Sequence, residues 1–296
     1  MIRKRTIGDK IFDTFNGFIM ILAILITLYP IWYVVVASLS SSNALMQHQG
    51  LLFTPLGKLN FEAYKVVLIK DPMILTSYKN TLIYVVLGTA TSLLLTTLGA
   101  YGLSRKNVKL ANPIMFMITF TMLFHGGLIP TFLWVKELNM TQTMWAMIIP
   151  NAVSVYNLVI MRTNFQGIPV SLEEAAKIDG AGDFTIFIKI IIPLSKAVIA
   201  VMVLFYSVAI WNAWFWAMVF LGTERELYPL QLILRELLIT NSTDSLTTGV
   251  GAADTESVGR TIQYAAIIVS IVPILMVYPF VQKYFVKGVM IGAIKS

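Results

Sequence analysis

Six long apolar stretches constrain this chain more than any other feature of its sequence. They fall at residues 15–38, 78–103, 113–135, 141–161, 196–221 and 261–285. A helix needs about 20 predominantly apolar residues to cross the hydrocarbon core of a bilayer, and each stretch reaches that length. Of the 296 residues, 57% are hydrophobic and 12% are charged, whereas about 25% are charged in an ordinary soluble domain. The sequence therefore predicts an all-α integral membrane protein with six transmembrane helices.

Glycine and proline interrupt several of the predicted helices. Gly126-Gly127 and Pro130 fall within the third, Pro150 within the fourth, and Pro273 and Pro279 within the sixth. Membrane helices tolerate such residues because neighbouring helices can satisfy the backbone groups that they free. We expect bends or breaks at these positions.

The Lys and Arg residues predict the orientation of the chain. If both termini are cytoplasmic, fourteen of these cations fall on inner segments and eight on outer segments. The connection 104–112 alone carries three cations and no acid, as the positive-inside rule favours. The net charge of +7 is thus a topology signal, and no nucleic-acid partner is expected. The absence of cysteine and the presence of only two histidines exclude thiolate chemistry and a histidine-rich metal site.

This orientation divides the chain into segments with different expected surroundings. The low-complexity stretch 241–257 suggests that the second long outer connection is flexible. The predicted segments are a cytoplasmic N-terminal segment (1–14), the first transmembrane helix (15–38), an extracellular segment (39–77), a core transmembrane domain (78–285) with a cytoplasmic connection (162–196) and an extracellular loop (222–260), and a cytoplasmic tail (286–296).

The cytoplasmic connection carries the most specific local pattern. Ser171 followed three residues later by Glu174 matches a capping box, in which each side chain accepts a backbone N–H of the other residue. Gly180 is typical of a helix end. We expect a short helix over residues 172–179. Small alanine side chains at its centre would let another surface approach closely, so the helix is either a docking element or a brace beneath the bundle.

The spacing of this segment resembles the signature of ABC importer permeases. Glu174-Ala175-Ala176 is followed by Gly180 and then by Ile190, Ile192 and Pro193. This order is similar to the family pattern E-A-A-x(3)-G-x(9)-I-x-L-P. Ile192 stands where the pattern prefers leucine, which is a mild aliphatic exchange.

Further motifs resemble one subfamily of these permeases, the carbohydrate-uptake group of the maltose permease MalG. Two additional segments resemble its LplC/YtcP-like branch, which is associated with complex oligosaccharides. The segments similar to the subfamily are Asn80-Thr81-Leu82, Ala100–Arg105, Trp211-Asn212 and Gly292–Lys295, and those similar to the branch are His125–Pro130 and Tyr284–Met290.

The resemblance implies a fold, partners and a cargo. The fold would be a type I ABC importer transmembrane domain with a cytoplasmic coupling helix between the fourth and fifth spans. The partners would be a second, homologous permease forming a heterodimer, two copies of an ABC ATPase, an extracellular solute-binding protein and the lipid bilayer of a bacterial cell membrane. The chain itself lacks the G-x-x-x-x-G-K-[ST] loop that cradles nucleotide phosphates. It would therefore hold no cofactor and would not be an enzyme, since ATP and Mg would bind to the ATPase subunits.

The resemblance also implies roles for individual residues of the loop. Glu174 would be a polar anchor, the two alanines beside it a close-contact surface and Gly180 a turn. Ile190 and Pro193 would tie the loop to the fifth span. The complete set implied for ATPase coupling is Glu173, Glu174, Ala175, Ala176, Asp179, Gly180, Ile190 and Pro193.

Aromatic faces with nearby hydrogen-bonding groups are the side chains expected along a sugar pathway. An interfacial aromatic belt explains the tryptophans of the fifth span equally well, and interhelical hydrogen bonds explain the asparagines. Arg162 is expected to snorkel to the inner interface. The candidate pathway residues are Asn151, Tyr156 and Asn157 in the fourth span and Trp211, Asn212, Trp214 and Phe215 in the fifth.

Other functions compete with carbohydrate import. An ABC importer permease for a non-sugar solute is the first alternative. A secondary transporter or channel usually carries acids at membrane depth, and the six predicted spans contain none. An intramembrane enzyme would need paired acids, a Ser/Lys pair or metal ligands at that depth, and the spans contain no such set.

Overall fold

The computed structural model describes residues 6–70, 72–105, 107–124, 126–247, 261–276 and 279. Every regular element in these ranges is helical, and none of them is a β-strand. The predicted all-α class is therefore confirmed for the described part of the chain.

The elements vary widely in length, and three short segments have non-α hydrogen bonding. In chain order the helices are α1 (Ile7–Leu39), α2 (Ser42–Gln47), α3 (Glu62–Lys65) continuing as a π-turn (Val66–Lys70), α4 (Pro72–Ser104), α5 (Ala111–Phe120), α6 (Leu128–Glu137), α7 (Trp145–Ile148), α8 (Val155–Gln166), α9 (Val170–Ile178), α10 (Asp183–Ile186) continuing as a π-turn (Phe187–Ile191), α11 (Ile192–Leu194), α12 (Lys196–Trp211), α13 (Trp214–Leu221), a 3₁₀ turn (Arg225–Leu227), α14 (Leu230–Thr247) and α15 (Thr261–Met276).

The chain divides into two compact units, and the first comprises the described parts of Met1–Asp71 and Glu236–Ile271. Helix α1 begins with a capping box, because Thr6 Oγ1 accepts the Asp9 N–H and the Asp9 carboxylate accepts the Thr6 N–H. The second of these bonds lowers the pKa of the Asp9 carboxyl. Apolar side chains in the N-terminal half of α1, such as Phe15 and Phe18, are more than 60% exposed, as a lipid-facing helix requires.

The aromatic end of α1 is held by the segment that follows it. Trp32 Nε1 donates to the carbonyl of Phe53 at 3.0 Å, and the Tyr29 hydroxyl accepts the Leu52 N–H at 2.9 Å. Leu52 also packs with Val36 of α1 in a small core. The polar ends of these aromatic side chains therefore bind protein backbone while their rings remain against apolar surface.

Helix α4 is the central element of the second unit, which comprises Pro72–Arg235 and the described part of Val272–Ser296. It packs against α8 and α12 through small and hydroxyl-bearing residues, including Ser92, Thr96 and Ala100, all of which are buried. A Cβ at Gly88 would lie 2.8 Å from Ile210 Cδ1 of α12. Small side chains at helix interfaces allow this close approach in membrane proteins.

Two of the predicted interruptions are confirmed, and one break was not predicted. The third predicted span is divided into two helices: α5 ends at Phe120 and α6 begins at Leu128. Gly127, immediately before α6, has φ +90°. The fourth is interrupted between α7 and α8, around Pro150. The fifth also breaks, between α12 and α13, at Asn212 and Ala213. No glycine or proline marks that position, so the helix-breaker pattern could not reveal it.

The described helices account for only some of the six predicted membrane crossings. Within the described residues, α1 and α4 are long and apolar enough to span a membrane unbroken, and a third candidate is α12 joined to the preceding α10–α11 segment across an 83° bend. The other predicted spans are divided into shorter helices or continue past Met276, beyond the described residues. The count of six crossings remains a prediction.

The predicted extracellular loop 222–260 differs from the expectation of a flexible segment. Its first part is anchored to α4, since Asn80 Nδ2 donates to the carbonyls of Glu226 and Tyr228 at 2.6 and 3.2 Å. The Leu230 N–H then donates to Thr81 Oγ1 at 2.8 Å, and α14 follows. Regular structure therefore extends over 230–247, where the polar composition suggested an irregular loop. Residues 248–260 lie outside the described part.

Candidate functional site

Helix α9 occupies the loop in which the sequence predicts a short helix, although it begins earlier than predicted. It runs over Val170–Ile178 with Pro169 at the N-cap, and no side chain caps its first turn. Proline already holds the φ angle needed to enter the helix, so Ser171 falls inside the first turn. The predicted capping box between Ser171 and Glu174 is therefore wrong.

The end of α9 follows the prediction at Gly180. This glycine has φ +81°, a left-handed conformation that only glycine adopts without strain. Its N–H donates to the carbonyl of Lys177, and the Ala181 N–H donates to the carbonyl of Ala176. These two bonds form a Schellman motif, which satisfies the last carbonyls of the helix and turns the chain sharply away from it.

A buried ion pair fixes α9 to the end of α4. The Arg105 guanidinium, at the C-terminal end of α4, pairs with the Glu173 carboxylate in the first turn of α9, and their side chains are only 14% and 10% exposed. Arg105 also donates to the carbonyl of Phe165 at 3.0 Å and to Ser104 Oγ at 3.0 Å. Burial lowers the pKa of Arg105 from its ordinary value, yet a guanidinium in a protein remains protonated.

Neighbouring contacts extend this junction to the segment after α9. The Arg105 guanidinium lies 5.0 Å from the centre of the Tyr101 ring, a cation–π distance. The Tyr101 hydroxyl donates to the carbonyl of Asp183 at 3.2 Å, and the Asp183 carboxylate pairs with Lys177 at 3.1 Å. The ends of α4 and α8, helix α9 and helix α10 thus meet around one arginine.

A second arginine supports the same region. Arg162 Nε donates to the carbonyl of Leu103 at 2.8 Å, and its terminal nitrogen donates to Asn112 Oδ1 at 3.2 Å. Its acceptors therefore lie at the end of α4 and in the first turn of α5, and the snorkelling of Arg162 to the inner interface stays a prediction. Those bonds cross-link α8 to the chain that leads into α5.

The opposite side of α9 is open. Glu174, Ala175 and Asp179 are exposed, and among the described residues Glu174 forms no ion pair. Ile178 is 86% exposed and Phe184 of α10 is 67% exposed. The exposed surface of α9 and α10 therefore combines polar and apolar side chains. Beside this face, a cavity of about 470 Å³ extends between α9 and the end of α4.

The remaining residues of the predicted coupling set join the loop to α12. Ala176 and Ile190 pack against a core that includes Phe165 and Ile186, so of the two alanines only Ala175 is freely exposed. Pro193 lies in α11 and is exposed. The chain then bends by 83° at Ser195 before α12 begins. The loop is therefore a packed unit from α9 to the start of α12.

A second site is a cavity of about 860 Å³. It lies at the break between α7 and α8 and the break between α12 and α13. Four of the predicted pathway residues, Asn151, Tyr156, Asn157 and Asn212, line it together. Trp216 of the aromatic cluster lines it as well. Membrane proteins tolerate non-helical backbone where it lines a cavity, so the breaks around Pro150 and Asn212 fit this position.

The other predicted aromatic residues lie elsewhere. Trp211 is buried and packs edge-on against Tyr78 of α4, with 6.1 Å between ring centres. Trp214 lies under the Arg235 guanidinium at 4.5 Å and meets Phe215 edge-on. None of these three lines the cavity.

Sequence reasoning missed Tyr206, which organises the cavity wall. Its hydroxyl lies 2.6 Å from Thr96 Oγ1 of α4 and accepts the Ser154 N–H at 3.2 Å. Both Tyr206 and Thr96 are buried. One tyrosine therefore joins α4, α12 and the start of α8, and a lone tyrosine within an apolar stretch carries no pattern that would single it out.

Tyr206→Phe is expected to destabilise the purified chain by about 1 kcal/mol, because hydrogen bonds between membrane helices contribute that order of free energy. Thermal denaturation in detergent measures the change. Tyr156→Phe is the matched control, since Tyr156 is 57% exposed and its hydroxyl has no hydrogen bond among the described residues. Equal midpoints for the two variants would contradict the structural role of Tyr206.

The chain is similar to known transport proteins along nearly its whole length. Residues 92–291 match the family model for the binding-protein-dependent transport system inner membrane component. The chain is 40% identical to the polygalacturonan/rhamnogalacturonan transport system permease protein YtcP of Bacillus subtilis (strain 168), over 97% of this chain and 99% of that protein. It is 38% identical to Protein LplC of the same organism, over 98% and 97% of the two chains.

A solved structure is similar over nearly the whole fold. It is the crystal structure of a bacterial ABC transporter involved in the import of the acidic polysaccharide alginate, with a TM-score of 0.85 and 37% identity, covering 96% of this chain and 99% of that one. The family match alone extends over more than half of the residues. The chain therefore belongs to the family of binding-protein-dependent transport system inner membrane components.

Proposed function

We propose that this chain is a permease subunit of an ATP-driven ABC importer that moves a carbohydrate, specifically an oligosaccharide, across a bacterial cell membrane. The observation that carries the proposal is the similarity along nearly the full length to a polygalacturonan/rhamnogalacturonan transport permease. The alginate importer of similar structure supports the same class of cargo. Both termini face the cytoplasm in this proposal, and six helices cross the bilayer.

The cavity lined by Asn151, Tyr156, Asn157, Asn212 and Trp216 is proposed as part of the cargo pathway. Amide groups there can exchange hydrogen bonds with sugar hydroxyls, while aromatic faces can pack against sugar rings. The lining residues are all uncharged. A sugar could therefore bind through many weak contacts and leave again, as transport requires.

Helix α9 is proposed as the coupling helix that receives force from an ATPase. Its outer face, with Glu174, Ala175 and Ile178, is exposed, whereas Glu173 on its inner face pairs with Arg105. A partner that pulls on the outer face would move α9 and the end of α4 together. Because α4 packs against α8 and α12, this movement would reach the helices around the cavity and alternate its access between the two sides.

The remaining subunits follow from this role. The importer would contain a second, homologous permease in a heterodimer, two copies of an ABC ATPase and an extracellular solute-binding protein. ATP and Mg would bind to the ATPase copies, and hydrolysis would occur there. This chain would contribute the pathway and the coupling helix, without a cofactor of its own.

The proposed cargo class is tested by uptake into liposomes containing the complete transporter and its binding protein. The panel should contain acidic oligosaccharides, neutral oligosaccharides and a non-sugar osmolyte such as glycine betaine. We expect accumulation of at least one oligosaccharide class and no accumulation of the osmolyte. Uptake of the osmolyte alone would contradict carbohydrate transport while preserving the family assignment.

A further inference from the structure

We propose that the cavity at the interrupted helices holds a subsite for the carboxylate of an acidic sugar, formed by the N-terminus of α8 and the side-chain amide of Asn157. The inference rests on the proposed function, because it assumes that the cavity belongs to the sugar pathway. It adds a chemical class of substrate and names the groups that receive its charge.

The first element of the subsite is the start of α8. Ser154, its N-cap, lines the cavity. The first N–H groups of a helix have no acceptor within the helix. Ser154 Oγ accepts the Asn157 N–H at 3.4 Å, but the N–H groups of Val155 and Tyr156 have no acceptor among the described residues. Because α8 is 12 residues long, its dipole adds positive potential at this end.

The second element is the Asn157 side chain, a polar group that is independent of the helix end. Asn157 is only 5% exposed and lines the cavity. Among the described residues, its side-chain amide makes no hydrogen bond. Buried polar groups are normally hydrogen-bonded because an unpaired one destabilises the fold. The amide can therefore donate to a group that enters the cavity, one helical position beyond the free N–H groups.

The charge of the lining favours a carboxylate in this place. No acidic residue lines the cavity to repel an anion, and no Lys or Arg lines it either. Neutral donors and a helix N-terminus can receive a carboxylate without a fixed cation, which is expensive to hold inside a membrane. A binding step along a transport pathway must also be weak enough to allow release. Neutral donors satisfy this requirement better than an ion pair.

Neighbouring groups suit the rest of a sugar residue. Tyr156 is 57% exposed and lines the same cavity as Trp216. Their faces could contact the apolar side of a sugar ring while the carboxylate reaches the end of α8. Asn151, just before the helix, adds a further amide to the lining.

The test uses the complete transporter in liposomes with its binding protein saturated by trigalacturonate, so that the rate reports the permease. Asn157→Asp places a negative charge beside the free N–H groups, and acids in the first turn of a helix favour folding. Asn157→Leu removes the amide without adding charge. We expect uptake of trigalacturonate to fall about tenfold or more in both variants, the scale of a lost hydrogen bond to a charged group.

The matched control is Asn164→Asp, which adds the same charge to an exposed position near the other end of α8 and should change the rate by less than about twofold. Unchanged uptake of trigalacturonate in both Asn157 variants would overturn the subsite. Uptake of neutral galactotriose without uptake of trigalacturonate by the wild type would overturn it too, while leaving carbohydrate transport intact. Transport of no oligosaccharide from a broad panel would instead contradict the proposed function itself.

Discussion

Replacing Glu174 with arginine is expected to abolish ATP-driven uptake while the chain still inserts into the membrane. Glu174 is exposed on α9 and forms no ion pair among the described residues, so the substitution breaks no contact within the fold. Surface substitutions of this kind usually change stability by less than about 0.5 kcal/mol. A loss of transport would therefore arise at the interface with a partner, where reversing a charge costs several kcal/mol.

The measurement combines uptake with recovery of the ATPase subunits on the purified permease. We expect Glu174→Arg to lose both, with normal amounts of the permease in the membrane. Glu137→Arg is the matched control, because Glu137 is exposed at the end of α6 and lies outside the coupling loop. Normal uptake by Glu174→Arg would exclude the outer face of α9 as the docking surface.

Replacing Arg105 with glutamine is expected to cause a comparably large loss of transport by another route. The change leaves the Glu173 carboxylate in a buried position without its cation, and removing one member of a buried pair costs about 3 kcal/mol or more. Helix α9 would then lose its fixed position relative to α4. The ATPase would still bind the exposed face, but its movement would no longer reach the membrane helices.

This prediction separates coupling from docking. We expect Arg105→Gln to retain the ATPase subunits and to hydrolyse ATP without uptake, whereas Glu174→Arg loses the subunits. The double variant Arg105→Glu/Glu173→Arg should recover part of the transport that either single substitution loses, because it restores the ion pair with the two charges exchanged. Lys109→Gln is the control, as Lys109 is an exposed cation of the same connection. Absence of any recovery in the exchanged pair would argue against a specific Arg105–Glu173 contact.

Patterns that depend on one short segment were predictable from the sequence. The helix breaks near Gly127 and Pro150 follow from residues that disrupt helices by their own geometry. The end of α9 at Gly180 follows from the conformational freedom of glycine. Long apolar runs likewise indicated α1 and α4, because each run is longer than the stretch of apolar residues that a helix needs to cross a bilayer.

Features that depend on distant contacts were not predictable. The partner of Glu173 is Arg105 on another helix, and neither residue carries a local sign of the other. The resemblance therefore placed both Glu173 and Glu174 in the set implied for ATPase coupling, although one is buried and the other exposed. The helix break at Asn212 was not predictable either. The Asn212 amide donates to the carbonyl of Val208 at 2.8 Å, a contact that exists only in the folded helix.

The candidate cavity shows the same division. Asn151, Tyr156, Asn157 and Asn212 were identifiable as polar groups in apolar stretches, which is unusual at membrane depth. Their convergence on one cavity depends on how α7, α8, α12 and α13 pack. The aromatic residues next to Asn212 could not be sorted by composition, and only packing distinguishes Trp216 in the cavity from Trp211 against α4.

The most direct test that ATP drives import by acting on α9 is uptake of oligosaccharide by liposomes containing the complete transporter, with ATP supplied to the cytoplasmic side. We expect uptake by the wild type only when ATP, the ATPase subunits and the binding protein are all present, and no uptake by Glu174→Arg under the same conditions. Oligosaccharide uptake by the permease without ATP or without the ATPase subunits would contradict it.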